Sequence, residues 1–140
     1  MAKKTQTGGA EAQIKKLREQ IDALDVKIQA LISDRARLAL AVAETKQQEG
    51  SSNFYRPERE AEVLRNVLAR NQGPLSEEAM ARLFREIMSA CLALESRLRI
   101  AFLGPEGTFT QEAALKQFGH AVETAPLAAI DEVFREVESG

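Results

Sequence analysis

Five charged residues, Arg35, Lys46, Arg59, Glu60 and Glu95, fall where helical spacing asks for apolar ones. Ile14, Leu17, Ile21, Leu24, Ile28 and Leu31 recur at alternating steps of three and four, the repeat of a helix with a narrow buried seam. Continuing the count gives Arg35, Leu38, Val42 and Lys46, so two of the next four seam positions are cations. Arg18 borders the same seam. In the stretch YRPERE, Arg59 and Glu60 precede Val63 and Leu64 by four residues, which leans both toward the buried side of a second helix and leaves Glu58 facing water. Glu95 follows Cys91 by one turn, beside Leu94. Each charge has a plain structural explanation: Arg18 as a flank charge, Arg35 snorkelling or paired, Glu95 in an ion pair with an arginine. Together they place several charges in one small bundle, which is costly unless something pairs them, and a small dianion does so.

Arg18 and Arg35 are 17 residues apart, ~25 Å along a straight helix. They cannot grip one small molecule from the same chain, so if both serve, Arg18 reaches the site of a second protomer. No serine or cysteine stands with a histidine as a nucleophile-and-base pair, and Cys91 lies on an apolar stripe that suits packing. Any reaction here has to work by positioning and electrostatics. One cysteine and one histidine, His120, make a thiolate or histidine metal site improbable. With 19 basic and 21 acidic residues interspersed for a net charge of −2, there is no basic excess to draw nucleic acid or an anionic membrane. The start, MAKKTQTGGAEA, lacks an apolar signal core, and no apolar run approaches the ~20 residues of a membrane span. The expectation is a cytoplasmic protein with a flexible tail over residues 1–10.

The elements that must carry these charges follow from the pattern. From about Glu11 to Lys46 nothing breaks the first helix, and ~35 residues make it roughly 50 Å long, more than a compact domain of this size spans. Such a helix needs a partner chain. Gly50, Ser51, Ser52 and Asn53 end it, and Pro57 suits the first turn of the second helix, which runs to about Asn71 with Val63, Leu64, Val67 and Leu68 inward. Asn71–Pro74 stops it. A third helix opens with Ser76 as N-cap, Glu77 and Glu78 in its first turn and Leu75 placed to staple onto Met80. Its inward stripe is Met80, Leu83, Phe84, Ile87, Cys91, Leu94 and Leu98. After Arg99 the order becomes strand (IAFLG), turn (PEGTFT), helix (QEAALKQF, capped by Gly119), strand (AVETA) and helix (AIDEVFREV), the grammar of α/β architecture. Forty-one residues cannot complete such a domain, so the segment is expected to be partly disordered or to pair with another copy.

The segments LREQIDALDVKI, ISDRARLALAVAETK, YRPEREAEVL and LFREIMSACLALE resemble the all-helical chorismate mutases over about residues 10–98, and RIAFLGPEGTFTQEAAL is similar to the beginning of prephenate dehydratase. The succession resembles the bifunctional enzymes of bacterial phenylalanine biosynthesis. The resemblance implies an all-α mutase domain over residues 11–99, three helices intertwined with a second protomer in a homodimer, followed by an incomplete dehydratase fragment over residues 100–140. It implies that Arg35 and Arg59 hold the substrate, chorismate, and that Arg18 is supplied across the interface. Lys46 would bond the ether oxygen and a carboxylate, and Glu60 would accept from the ring hydroxyl. Arg56 matches a position that meets that hydroxyl through backbone and is an aspartate in several members. Cys91 stands where some relatives have a serine near a carboxylate, and a thiol is the weaker donor.

Glu95 departs from the family pattern, since many relatives carry a glutamine that donates to the ether oxygen. A carboxylate substitutes only when protonated. The implied reaction is a unimolecular rearrangement of chorismate to prephenate: arginine forks hold the reactive conformer, while Lys46 and Glu95 oppose charge developing on the ether oxygen. No cofactor is required. Two other classes stand beside this reading: a helical oligomerisation module with solvated charges, and a pyruvate-releasing lyase on the same fold. Dehydration is not expected, because the Thr-Arg-Phe motif of the dehydratases is missing and Thr108, in its GPEGTFT turn, would line a site whose other parts are absent.

Overall fold

A computed structural model describes residues 5–51 and 53–140. The elements in order are α1 (Thr5–Gln48), α2 (Pro57–Arg70), α3 (Glu77–Glu95), β1 (Arg99–Leu103), α4 (Phe109–Phe118), β2 (Glu123–Leu127) and α5 (Ile130–Ser139). The chain divides into two compact units, Met1–Arg37 and Leu38–Gly140.

The first unit is the N-terminal part of α1, a helix of 44 residues in all. It begins at Thr5, so the expected tail of ten residues is corrected: residues 5–10 are helical, and residues 1–4 lie outside the described residues. Gly8 and Gly9 do not prevent this, since each costs only about 1 kcal/mol of helix propensity, and nothing approaches their missing side chains. The seam forms as spaced, yet it is open: Ile14, Leu17, Ile21, Leu24, Ile28 and Leu31 are 48–68% exposed.

In the second unit, α2 and α3 pack together and bury Val67, Ala81 and Cys91. Pro57 opens α2 as expected. The connection to α3 is fastened by one side chain, because Asn71 Nδ2 donates to the Leu75 carbonyl at 3.0 Å and Asn71 Oδ1 accepts from Gly73 N–H at 3.3 Å. Ser76 caps α3 as its type dictates, its Oγ accepting from Ala79 N–H at 3.1 Å. The inward stripe of α3 needs a correction. Leu83 and Leu94 are more than half exposed, while Ala81 and Ser89 are buried. A second inward row runs in steps of four through Ala81, Arg85 and Ser89, and the small Ser89 lets the Gly119 cap of α4 approach closely.

Residues 99–140 form two strands and two helices, where partial disorder or pairing with another copy was expected. β1 and β2 pair in parallel, Arg99 opposite Glu123 and Leu103 opposite Leu127, and α4 and α5 both pack on β1. Phe102, Ala114 and Ala125 form the small core of this segment. A helix between two parallel strands is the connection such pairing requires.

Candidate functional site

The expected site residues lie on α1, on the first turn of α2 and its lead-in, and on the last two turns of α3. In the first unit, Arg18 is exposed and Arg35 is half-buried on α1. Everything else expected belongs to the second unit.

Lys46 occupies the last turn of α1, half-buried. Its Nζ stands 5.9 Å from the centre of the Phe54 ring, at the outer range of a cation–π contact. Glu95, the last residue of α3, is its acidic counterpart and is also half-buried. Burial pushes the Glu95 carboxyl up, and the charge of Lys46 pulls the other way without cancelling it.

Glu60 is the charged member of YRPERE that turns inward. Burial raises its carboxyl as well, opposed by the charge of Arg85 on α3. Its backbone N–H donates to the Arg56 carbonyl at 3.1 Å, the bond that starts α2. Arg59 does not follow it, and the expectation that both lean inward is corrected. The Arg59 guanidinium is 63% exposed and bonds Glu62 at 2.6 Å, a carboxylate three residues ahead on the same helix face. Arg56 is likewise exposed and bonds Glu58 at 3.0 Å. Cys91 is buried at 4% exposure and is a free thiol.

Two residues coupled electrostatically to Glu60 escaped the sequence reading. Tyr55 is half-buried, and its phenol is held above its usual range by burial first and by the charge of Glu60 second. Arg85 carries a buried Nε that finds no hydrogen-bond partner among the described residues. The signal for Arg85 was the four-residue row Ala81–Arg85–Ser89, hidden because its ends are too small to register as apolar. A cleft of about 490 Å³ also opens between α3 and α4, lined among others by Arg82, Arg85 and Lys116 and by Glu78, Glu86 and Glu112. Its balanced charges do not suit a dianion, and apart from the turn residue Thr108 none of the expected residues lines it. Among the described residues, no group of three or more histidine, cysteine or carboxylate side chains could hold a metal ion, and no helix is long and apolar enough to cross a membrane.

Residues 17–96 match the family described as chorismate mutase type II, more than half of the chain. The chain belongs to the chorismate mutase type II family. Residues 100–140 match the prephenate dehydratase family. A bifunctional chorismate mutase/prephenate dehydratase of Pseudomonas aeruginosa is 62% identical over 132 residues, covering 91% of this chain and 36% of the relative, and one of Aquifex aeolicus is 40% identical over 131 residues with the same coverage. The chain thus spans about a third of the length of these curated relatives. Among solved structures, a chorismate mutase of Thermus thermophilus (form II) is 36% identical with a TM-score of 0.58, covering 61% of this chain and 96% of that one. The mutase family match takes in α2, α3 and most of α1, and with them every expected site residue from Arg18 to Glu95.

Proposed function

We propose that this chain is a chorismate mutase that rearranges chorismate to prephenate by holding and polarising it, with no cofactor. The observation that carries the reading is the half-buried pair at the ends of two helices, Lys46 on α1 and Glu95 on α3, inside the segment matched by the mutase family. Lys46 faces the ether oxygen as its bond to carbon breaks, and a protonated Glu95 donates a hydrogen bond to the same atom. Both oppose charge that exists mainly in the transition state, and such groups raise the rate rather than merely the affinity. Arg35 and Arg59 grip carboxylates, and Glu60 accepts from the ring hydroxyl with Arg56 supplying backbone nearby. Arg59 has to leave Glu62 to do this, a minor loss for an exposed pair worth about 0–1 kcal/mol. Cys91 lines the site as a weak donor at most.

The active form is a homodimer in which Arg18 of one protomer completes the site of the other. The open seam of α1 supports this reading: six large apolar side chains lie half-exposed or more along one helix, and full burial of each is worth about 1.5–3 kcal/mol. The mutase domain spans residues 11–99, and residues 100–140 form a dehydratase-like segment. The cytoplasm is the compartment this reading assigns, and neither nucleic acid nor a membrane is a partner. The deciding experiment follows chorismate disappearance with wild type and Lys46→Ala. Equal rates would remove the mechanism.

A further inference from the structure

Four consecutive residues of the dehydratase-like segment touch the mutase segment one after another, the first at the lead-in to α2 and the other three on α3. Phe118 ends α4 and stands edge-on to Tyr55, ring centres 5.9 Å apart and planes inclined at 62°. Gly119 caps α4 with φ of +78°, and a Cβ there would lie 2.5 Å from Ser89 Cβ and 3.3 Å from the Arg85 carbonyl oxygen. Only glycine fits, for backbone and for space alike. His120 meets Glu86 twice, through its N–H to Oε2 at 3.1 Å and through Nδ1 to Oε1 at 2.6 Å. Ala121 N–H donates to Ser89 Oγ at 3.3 Å, which satisfies a hydroxyl on a side chain only 7% exposed.

Phe118 therefore packs on the residue that precedes Arg56, whose carbonyl accepts from the Glu60 N–H at 3.1 Å. That residue, Tyr55, feels the Glu60 charge. Arg85, on α3 beneath Gly119, carries a charge that lowers the same carboxyl against the effect of burial. We infer that the Phe118–Ala121 turn is a positioning element for Glu60, holding Tyr55 and the Arg85–Ser89 turn of α3 so that the carboxylate keeps one place at the start of α2. The residues of the turn touch no substrate. The inference rests on the mutase reading for its consequence in catalysis, though its structural half stands without it.

Glu60 accepts from a hydroxyl that takes no part in bond breaking, so its misplacement weakens substrate and transition state alike. That signature is a raised KM at constant kcat. In the 140-residue chain, Phe118→Ala raises KM for chorismate about three- to tenfold, the worth of one hydrogen bond, with kcat within about twofold. Phe118→Tyr, which keeps the ring, restores the wild-type KM. Hydrogen exchange gives a second readout that needs no substrate: the amides of Arg59 and Glu60, both bonded to the Arg56 carbonyl, exchange about fivefold faster in Phe118→Ala and in Gly119→Ala, while the middle of α2 and α3 keeps its protection. Unchanged exchange at these two amides, or a loss spread evenly over both helices, overturns the inference. Should wild type turn over no chorismate, the mutase reading fails and the exchange result alone decides the positioning claim.

Discussion

Lys46 and Glu95 close the ends of α1 and α3 with opposite formal charges, and the buried setting of the carboxylate outweighs the pull of the ammonium. Ordinary ion pairing lowers an acid, so the raised Glu95 carboxyl reflects burial that the charge of Lys46 does not offset. It fits a group whose neutral form has a task.

The pH profile tests that task. Glu95 is raised above its ordinary 4.5, so the neutral, donating form is lost as pH climbs through the raised value. Mutase turnover falls over that window, and Glu95→Gln, which donates at every pH, flattens the profile. Superimposable pH–rate curves for the two proteins exclude the role. The same shift has a stability consequence with the same sign: the folded chain holds its proton on Glu95 above the pH at which the unfolded chain releases it, so this contribution is full below 4.5 and lost as pH rises through the folded value.

Removing the ammonium should be costly to the chemical step. Lys46→Ala lowers kcat by about a hundredfold or more, the range seen when one preorganised donor to a developing oxyanion is deleted. Phe54→Leu removes only the ring beneath Nζ, and stopped-flow kinetics should show a loss of about fivefold or less.

Subunit mixing tests where Arg18 acts. Arg18→Ala and Lys46→Ala are each expected to be inactive alone. Refolded together as equal parts, half of the dimers hold one intact site, which returns about a quarter of wild-type activity in a two-fold symmetric assembly. No recovery from a mixture proven to contain heterodimers means that Arg18 serves its own chain.

The seam of α1 offers a structural test of assembly. Leu24→Lys puts a charge in its middle, and sedimentation equilibrium should show the dimer weakened by about 2–4 kcal/mol or lost altogether. An unaltered association constant removes the seam as the interface.

Ser76→Ala checks the fold apart from any function. The cap accepts one bond, from Ala79 N–H, and its loss should cost about 1 kcal/mol in urea denaturation without changing KM.

Spacing alone revealed the long helix, its two seam cations, the cap of α3 and the β-α-β order after Arg99, because each is a local pattern with a fixed period. It misjudged Arg59, whose inward lean loses to a carboxylate three residues ahead. It also missed Arg85 and Tyr55. Their importance comes from the turn at Phe118–Ala121, a contact more than thirty residues away from Arg85 that no periodicity encodes. The order of residues 99–140 was underestimated for a related reason: two strands in parallel register with a helix between them can shelter Phe102, even when the sheet is as narrow as this.

That narrowness has a practical side. Among the described residues, this ribbon of two parallel strands keeps a row of unbonded amide and carbonyl groups along each outer margin, and such margins recruit foreign strands. Pro126 in β2 has no N–H to offer, whereas β1, Arg99–Leu103, contains no proline. Concentrated samples of the dimer should therefore aggregate through β1, and a lysine or proline placed there would be the simplest route to keeping them clear.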